Sequence, residues 1–276
     1  MSGWIGEEKI DLSLTLINSA QCFYWVERGE AYGAVIGGEP VWLRADAGAV
    51  YAEGGDADRL RAYLDLGRDY DAVANAYREY AQAHAAMRMY PGLRVLNQPA
   101  WETLISFILS ANNNVERIRA LVHKLMAGYG APHETARGTL YAFPTPERLA
   151  RCAPEELRAL GMGYRDKYII GTARAVVEGF PLEALRGMEY EKAHAALITL
   201  AGVGDKVADC VQLFGLGHSE AFPVDVWVAR IAQSVFGIDA PNRRTLARRA
   251  RAMLGKNAGI LQQFLFHAAR TGAMEV

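Results

Sequence analysis

The sequence predicts an α+β protein: a small N-terminal antiparallel β-sheet domain over residues 1–87, followed by a mainly α-helical domain over residues 88–276 that contains a helix-hairpin-helix motif. Three observations predict it. Residues 10–53 alternate between apolar and polar side chains and are rich in glycine, as short strands with one buried face are. From Asp71 onward, apolar residues recur at helical spacing with few strand signals. The charge balance changes near the same place: residues 1–85 carry 7 Lys/Arg and 14 Asp/Glu, residues 86–276 carry 23 and 17, so net −7 gives way to net +6. Phosphate binding follows the local field rather than the total of −1, so the helical part is equipped to meet a nucleic acid.

In chain order, strands are expected at the short apolar runs Leu12 to Ile17, Ala34 to Ile36 and Val41 to Leu43. Asn18 to Trp25 reads as a turn entering a strand heavy with aromatics, which on its own suggests core. Tyr63 to Tyr80 forms the crossover to the helical part, with a boundary near residues 85–90. Pro99 precedes an apolar helix from Trp101 to Leu109 that ends in Ser110, Ala111, Asn112, Asn113 and Asn114. Asparagines are poor helix formers but good caps, and they tolerate left-handed backbone angles. Leu160 to Tyr168 is a glycine-punctuated turn with Tyr164 and Arg165 at its tip. An exposed aromatic beside an arginine suits wedging into a base stack, although a tyrosine folded back onto the core is equally compatible.

The most informative stretch runs from Leu200 to Val228. Gly202 and Gly204 bracket Val203 between helical patterns at Tyr190 to Leu200 and Lys206 to Leu216, giving the helix-hairpin-helix. Such a hairpin points unpaired backbone N–H groups outward at the start of its second helix, where an anion is favoured. Lys206 falls in the first turn of that helix, a position that, with partial burial, favours a neutral and therefore nucleophilic amine. Asp225 follows Pro223 and opens another helical pattern, which favours its anion. Alone, a first-turn lysine is usually solvated and such an aspartate usually only a cap. Together, amine and carboxylate can make and stabilise a cationic intermediate.

Gly202-Val203-Gly204-x-Lys206-Val207-Ala208-Asp209-Cys210, followed by Pro223-Val224-Asp225, resembles the lysine-containing branch of the helix-hairpin-helix DNA glycosylases, and within it the 8-oxoguanine DNA glycosylases. Ser19 to Trp25 is similar to that family's Ser-Gly-Gln-x-Phe-x-Trp segment, Ser110 to Ile118 to its Ser-Ser-Asn-Asn-Asn-Ile-x-Arg-Ile, and Gly161 to Arg165 to its Gly-x-Gly-Tyr-Arg. Ala258 to Phe266 resembles its C-terminal pocket element, so the likeness covers residues 10–268.

The resemblance implies roles residue by residue. Lys206 attacks the anomeric carbon of the damaged nucleotide and Asp225 stabilises the sugar cation. The Ala20 carbonyl accepts the hydrogen that 8-oxoguanine carries on its seven position, Cys210 and Phe266 wall the base, and Gln262 bonds its Watson–Crick edge. Gln262 and Phe266 are i, i+4 and share a helix face. Asn112 enters the space left by the flipped base, Tyr164 wedges, and Arg117 and Arg165 contact the orphaned cytosine, whose acceptors match donor-only guanidiniums. Gly202, Gly204 and Trp227 are expected at DNA phosphates. Ala20 stands where the family has glycine, Ala201 where proline is common, and Trp227 where eukaryotic members carry histidine.

The implied partner is double-stranded DNA containing 8-oxoguanine, preferably opposite C, and the implied activity is that of a bifunctional N-glycosylase/AP lyase. A monomer without cofactor or metal is expected. No hydrophobic run reaches the ~20 residues of a membrane span, and Glu7, Glu8, Lys9 and Asp11 interrupt any signal-peptide core, so an intracellular setting is expected. Cys22, Cys152 and Cys210 are scattered, as in a reducing compartment, and cannot supply a four-cysteine iron–sulfur site. Two other readings stay open: a glycosylase for another oxidised or alkylated base, and a non-catalytic helix-hairpin-helix DNA-binding module.

Overall fold

A computed structural model describes residues 2–7, 9–46 and 48–275. Five strands, β1 (Ser2–Glu7), β2 (Val26–Arg28), β3 (Ala31–Ile36), β4 (Glu39–Asp46) and β5 (Ala49–Glu53), form an antiparallel sheet in the order β1-β5-β4-β3-β2. Ile36 pairs with Glu39 across Gly37 and Gly38, both at positive φ (+61° and +84°), the backbone that a two-residue hairpin matched to sheet twist requires. Val41 and Leu43 face the main core, while Trp42 turns to the other face against Ala31, Val35 and Leu140.

Helices follow: α1 (Ala57–Tyr63), α2 (Tyr70–Ala76), α3 (Ala81–Met89), α4 (Ala100–Leu109), α5 (Val115–Tyr129), α6 (Pro146–Ala150), α7 (Pro154–Ala159), α8 (Asp166–Val177), α9 (Tyr190–Leu197), α10 (Asp205–Val211), α11 (Val226–Phe236), α12 (Arg243–Leu254) and α13 (Ala258–Arg270). Side-chain caps set several starts: Asp56 accepts the Arg59 N–H and Asp69 the Ala72 N–H, each at 2.8 Å. The helical part also holds a two-stranded ribbon, β6 (Pro132–His133) with β7 (Leu140–Tyr141), whose Thr135 turn is tied to Trp42 Nε1 at 3.1 Å.

The structure departs from the sequence reading at three places in the N-terminal part. Leu12 to Ile17, expected as a strand, lies in a helical turn, Ser13–Asn18. Asp11 starts it by accepting the Leu14 N–H at 2.8 Å, and Ser19 Oγ closes it on Thr15 O at 2.8 Å, so local side-chain hydrogen bonds outcompete the ladder. The aromatic run Phe23 to Trp25 precedes its strand rather than forming it, and all three rings are buried where sheet and helices meet. Ser2–Glu7 forms a strand outside the range expected, completed by pairing with β5.

The sheet and the helices share one apolar core, which runs from Ile5 and Leu43 through α4 to Leu261 and Phe264. Residues 87 and 88, the expected boundary, lie inside α3, which packs on α13. Buried amides stitch the parts together. Gln21 Nε2 donates to Arg94 O at 2.8 Å and Ser19 Oγ at 2.9 Å, its Oε1 accepts the Leu96 N–H at 2.8 Å, and Gln98 Nε2 donates to Gln21 O at 2.8 Å. Tyr63 OH joins Tyr24 OH at 2.7 Å and accepts Trp25 Nε1 at 2.8 Å. Among the described residues, no helix is long and apolar enough to cross a membrane.

Glu102, on α4 beside this tyrosine pair, has its Oε2 buried without a hydrogen-bond partner among the described residues. Burial pushes its carboxyl up from 4.5 to about 8, with a hydrogen bond from Tyr24 pulling the other way. A raised carboxyl favours folding while it is protonated. Its contribution is complete below its ordinary value and is lost as pH rises through about 8. Glu102→Gln, which keeps the shape and removes the titration, is therefore expected to flatten the fall in melting temperature between pH 5 and pH 8.5. Parallel thermal melts of the two proteins across that range check it.

Candidate active site

The hairpin places the site. Between α9 and α10, Gly202 adopts φ +80°, and a Cβ there would sit 2.5 Å from the Tyr168 ring, so both backbone and packing require glycine. Gly204 is different from the expectation of two equivalent glycines. It is the N-cap of α10 with φ −99° and ψ −178°, and nothing lies within 4 Å of a Cβ built on it. Val203, buried between them, anchors the turn in the core.

Lys206 is the second residue of α10. Its Nζ donates to Ser110 Oγ at 3.1 Å and lies 5.0 Å from the centroid of the Phe107 ring. Ser110 in turn donates to Phe107 O at 2.7 Å, so the hydroxyl's proton is committed and its oxygen faces the amine. Phe107 stacks on Phe214, centroids 5.5 Å apart, which fixes the ring beneath the lysine. Asp225 caps α11, accepting the Val228 N–H at 2.8 Å. The cap fixes the orientation of the carboxylate.

Lys206 and Asp225 line one cavity of about 50 Å³ with Ala20, Cys210, Gln262 and Phe266. Every expected catalytic and base-pocket residue is therefore brought together. Burial pushes the Cys210 thiol up to about 12, with Lys206 pulling the other way, so it is a neutral wall. Gln262 is buried and its Oε1 has no hydrogen-bond partner among the described residues, leaving an acceptor to be satisfied by an occupant. Its neighbour Gln263 donates Nε2 to Ser19 O at 2.7 Å and so fixes the loop bearing Ala20. Ala20 itself sits at φ +61°, a left-handed conformation that strains any residue with a Cβ.

Five residues of the cavity wall, Ala20, Phe107, Lys206, Asp225 and Phe266, also line an adjoining groove of about 620 Å³. Asn112, Trp227 and Arg243 belong to that groove. Asn112 holds φ +52°, and its Nδ2 donates to Tyr164 OH at 3.2 Å, so the two groups expected to enter a duplex touch each other. Tyr164 is half exposed, and Arg117 is exposed in the first turn of α5, where its N–H caps on Asn114 Oδ1 at 2.9 Å. Arg165 departs from the exposed tip that its sequence position suggests. It is buried, its Nε and Nη2 donate to Ala111 O and its Nη1 to Met162 O, because α8 begins immediately after it and turns the side chain inward.

The sequence reading gave no role to Phe107, Ser110, Phe214 or Gln263. Phe107 and Ser110 are i, i+3 at the end of α4, a local signal that they share a face. Phe214 lies eight residues beyond Lys206 on the same helical stretch, with Cys210 midway, but its stacking on Phe107 is set by tertiary packing.

Comparison with known proteins gives two adjoining family matches. Residues 105–256 match the HhH-GPD superfamily base excision DNA repair proteins, and residues 4–104 match the 8-oxoguanine DNA glycosylase N-terminal domain. The chain is 43% identical over 162 residues to the N-glycosylase/DNA lyase of Saccharomyces cerevisiae, covering 54% of this chain and 43% of that relative. It thus spans less than half the length of the yeast protein. It is 34% identical over 275 residues to the N-glycosylase/DNA lyase OGG1 of Arabidopsis thaliana, covering 91% of this chain and 75% of the relative. Among solved structures, the Clostridium acetobutylicum 8-oxoguanine glycosylase/lyase bound to double-stranded DNA with cytosine opposite 8-oxoG superposes with TM-score 0.90 at 26% identity, over 99% of both chains.

The two hairpin glycines are expected to respond differently to a methyl group. Gly202→Ala forces a left-handed alanine into the Tyr168 ring and should cost about 2 kcal/mol or more, whereas Gly204→Ala should cost under about 1 kcal/mol. Chemical denaturation of the two variants beside the parent measures both.

Proposed function

The chain belongs to the HhH-GPD superfamily of base excision DNA repair proteins, and within it we propose a DNA glycosylase/AP lyase that removes 8-oxoguanine, preferably opposite cytosine, from duplex DNA. One observation carries this reading: an amine and a capped carboxylate line a pocket together with a thiol, a phenyl ring and a buried carboxamide oxygen that has no partner among the described residues. The relatives named N-glycosylase/DNA lyase support the activity, and the DNA-bound 8-oxoguanine glycosylase/lyase neighbour supports the substrate.

The glycosidic carbon of a stacked nucleotide is out of reach, so the lesion must leave the helix at a cost of a few kcal/mol. Asn112 and Tyr164 offset part of that cost by filling the gap from the groove side. Arg117 is placed to read the orphaned base, and Arg165 joins it by releasing the carbonyls of Ala111 and Met162. The purine then sits between Cys210 and Phe266, with its Watson–Crick N–H groups on Gln262 Oε1 and its seven-position N–H on the Ala20 carbonyl. Guanine has no hydrogen at that position, which is the basis of discrimination.

Lys206, as the free amine, attacks C1′ while the bond from C1′ to the base breaks and the base leaves with the electron pair and gains a proton. Asp225 stabilises the sugar cation and takes the proton released by the amine. Opening of the sugar ring gives a Schiff base with Lys206. Loss of a C2′ proton then expels the 3′ phosphate, which cuts the strand.

Lys206→Gln is expected to bind a lesion duplex within a few-fold of the parent yet release no base and form no borohydride adduct. Base release at the parent rate would remove the nucleophile assignment. Asp225→Asn keeps a good helix cap, so a fall of about 10²-fold or more in single-turnover base release would report chemistry rather than folding. Borohydride trapping on 8-oxoguanine opposite each of the four bases should be strongest opposite cytosine.

A further inference from the structure

The start of α11 exposes two large apolar side chains that the proposed chemistry does not use. Val226 is 53% exposed and Trp227 41%, although Val224 and Val228 on either side are buried. Both line the groove that also holds Lys206 and Asp225. An apolar pair exposed at the edge of a groove that also carries Asn112, Asn113, Asn114, Lys206, Asp225 and Arg243 marks a contact surface. Its occupant is set by its neighbours. Lys206 and Asp225 act on a deoxyribose, and Trp227 lies two residues from Asp225, about 3 Å along the helix axis. The segment passing Trp227 is therefore the sugar–phosphate backbone next to the lesion. Its phosphates have stronger partners than an indole. Arg230 lies one turn on, its guanidinium 5.7 Å from the Trp227 ring centroid, and Arg243 lines the same groove. What remains for the apolar pair is the C–H face of the sugar.

We propose that Val226 and Trp227 form a binding surface for the deoxyribose of the nucleotide flanking the lesion in the damaged strand, with Arg230 and Arg243 holding the adjoining phosphates. This rests on the proposed glycosylase function and adds a contact to it that involves neither the lesion base nor the orphaned base. The indole then acts through packing rather than through its N–H.

The test uses Lys206→Gln protein to prevent turnover, alone and combined with Trp227→Ala or Trp227→Phe, and 8-oxoguanine·C duplexes. The nucleoside on each side of the lesion is left intact, replaced by tetrahydrofuran, which keeps a sugar ring without a base, or replaced by a three-carbon spacer, which keeps only the phosphates. Trp227→Ala is expected to weaken binding roughly tenfold on the intact and tetrahydrofuran duplexes, and to make no further difference when the spacer occupies one particular flank. Trp227→Phe should stay within about threefold of the parent. Equal losses for Ala and Phe would overturn the inference in favour of N–H donation to a phosphate. A Trp227 effect already abolished by tetrahydrofuran would overturn it in favour of base stacking, and no effect of Trp227→Ala on any duplex would overturn it outright. Failure of the Lys206→Gln parent to prefer the lesion over an undamaged duplex would instead count against the glycosylase reading. Thermal melts of the Trp227 variants separate these outcomes from unfolding.

Discussion

Three buried glutamines carry the constraint on which the rest of the structure depends. Gln21 and Gln98 bind the loop after the first helical turn to the segment entering α4, and Gln263 binds the same loop from α13. Each carboxamide is buried, and each satisfies backbone groups that would otherwise be orphaned in the core. The sheet domain is thereby fixed against both helices that shape the pocket. Without that registration Ala20 would not face Gln262 and Cys210, and the cavity would lose one wall.

The proposed reactive pair is held by a different principle. Lys206 rests on an aromatic face and a hydroxyl oxygen, both supplied by the end of α4. Asp225 is fixed by the helix it starts. Neither forms an ion pair with the other among the contacts described, so the amine is positioned without being tied up by a carboxylate. Lys206 comes from the start of α10 and Asp225 from the start of α11, and α4 packing on α10 seats the lysine. The geometry of this proposed catalytic pair rests on core packing, which is rigid enough to hold reacting groups in place.

Backbone strain collects around the same site. Among the described residues, three non-glycine residues have positive φ, and two of them, Ala20 and Asn112, line the groove and its pocket. Each costs on the order of 1 kcal/mol or more and persists because its surroundings hold it. Ala20 is held by Ser19 and Gln21 on either side, and Asn112 by the turn that closes α4 and by Tyr164. The strain is thus confined to two turns that border the groove.

Local patterns of glycine, cap and helix period in the sequence carried the hairpin, the lysine–aspartate pair and the asparagine turn, whereas the pocket residues Ala20, Cys210, Gln262 and Phe266 were legible only through the resemblance to a family. The sequence also indicated a sheet first and helices after it, but not that residues 87 and 88 fall inside α3. It did not reveal that Leu12 to Ile17 turns as a helix, since a short apolar run has no period of its own and Asp11 and Ser19 decide it. Only the tertiary structure decided that Phe107, Ser110 and Phe214 seat the lysine, that Gln263 fixes the Ala20 loop, and that Arg165 turns inward onto carbonyls. Those contacts join residues from 54 to 244 positions apart in the chain. Long-range partners are chosen by which surfaces the core brings together, and nothing in the spacing of neighbouring residues encodes that choice.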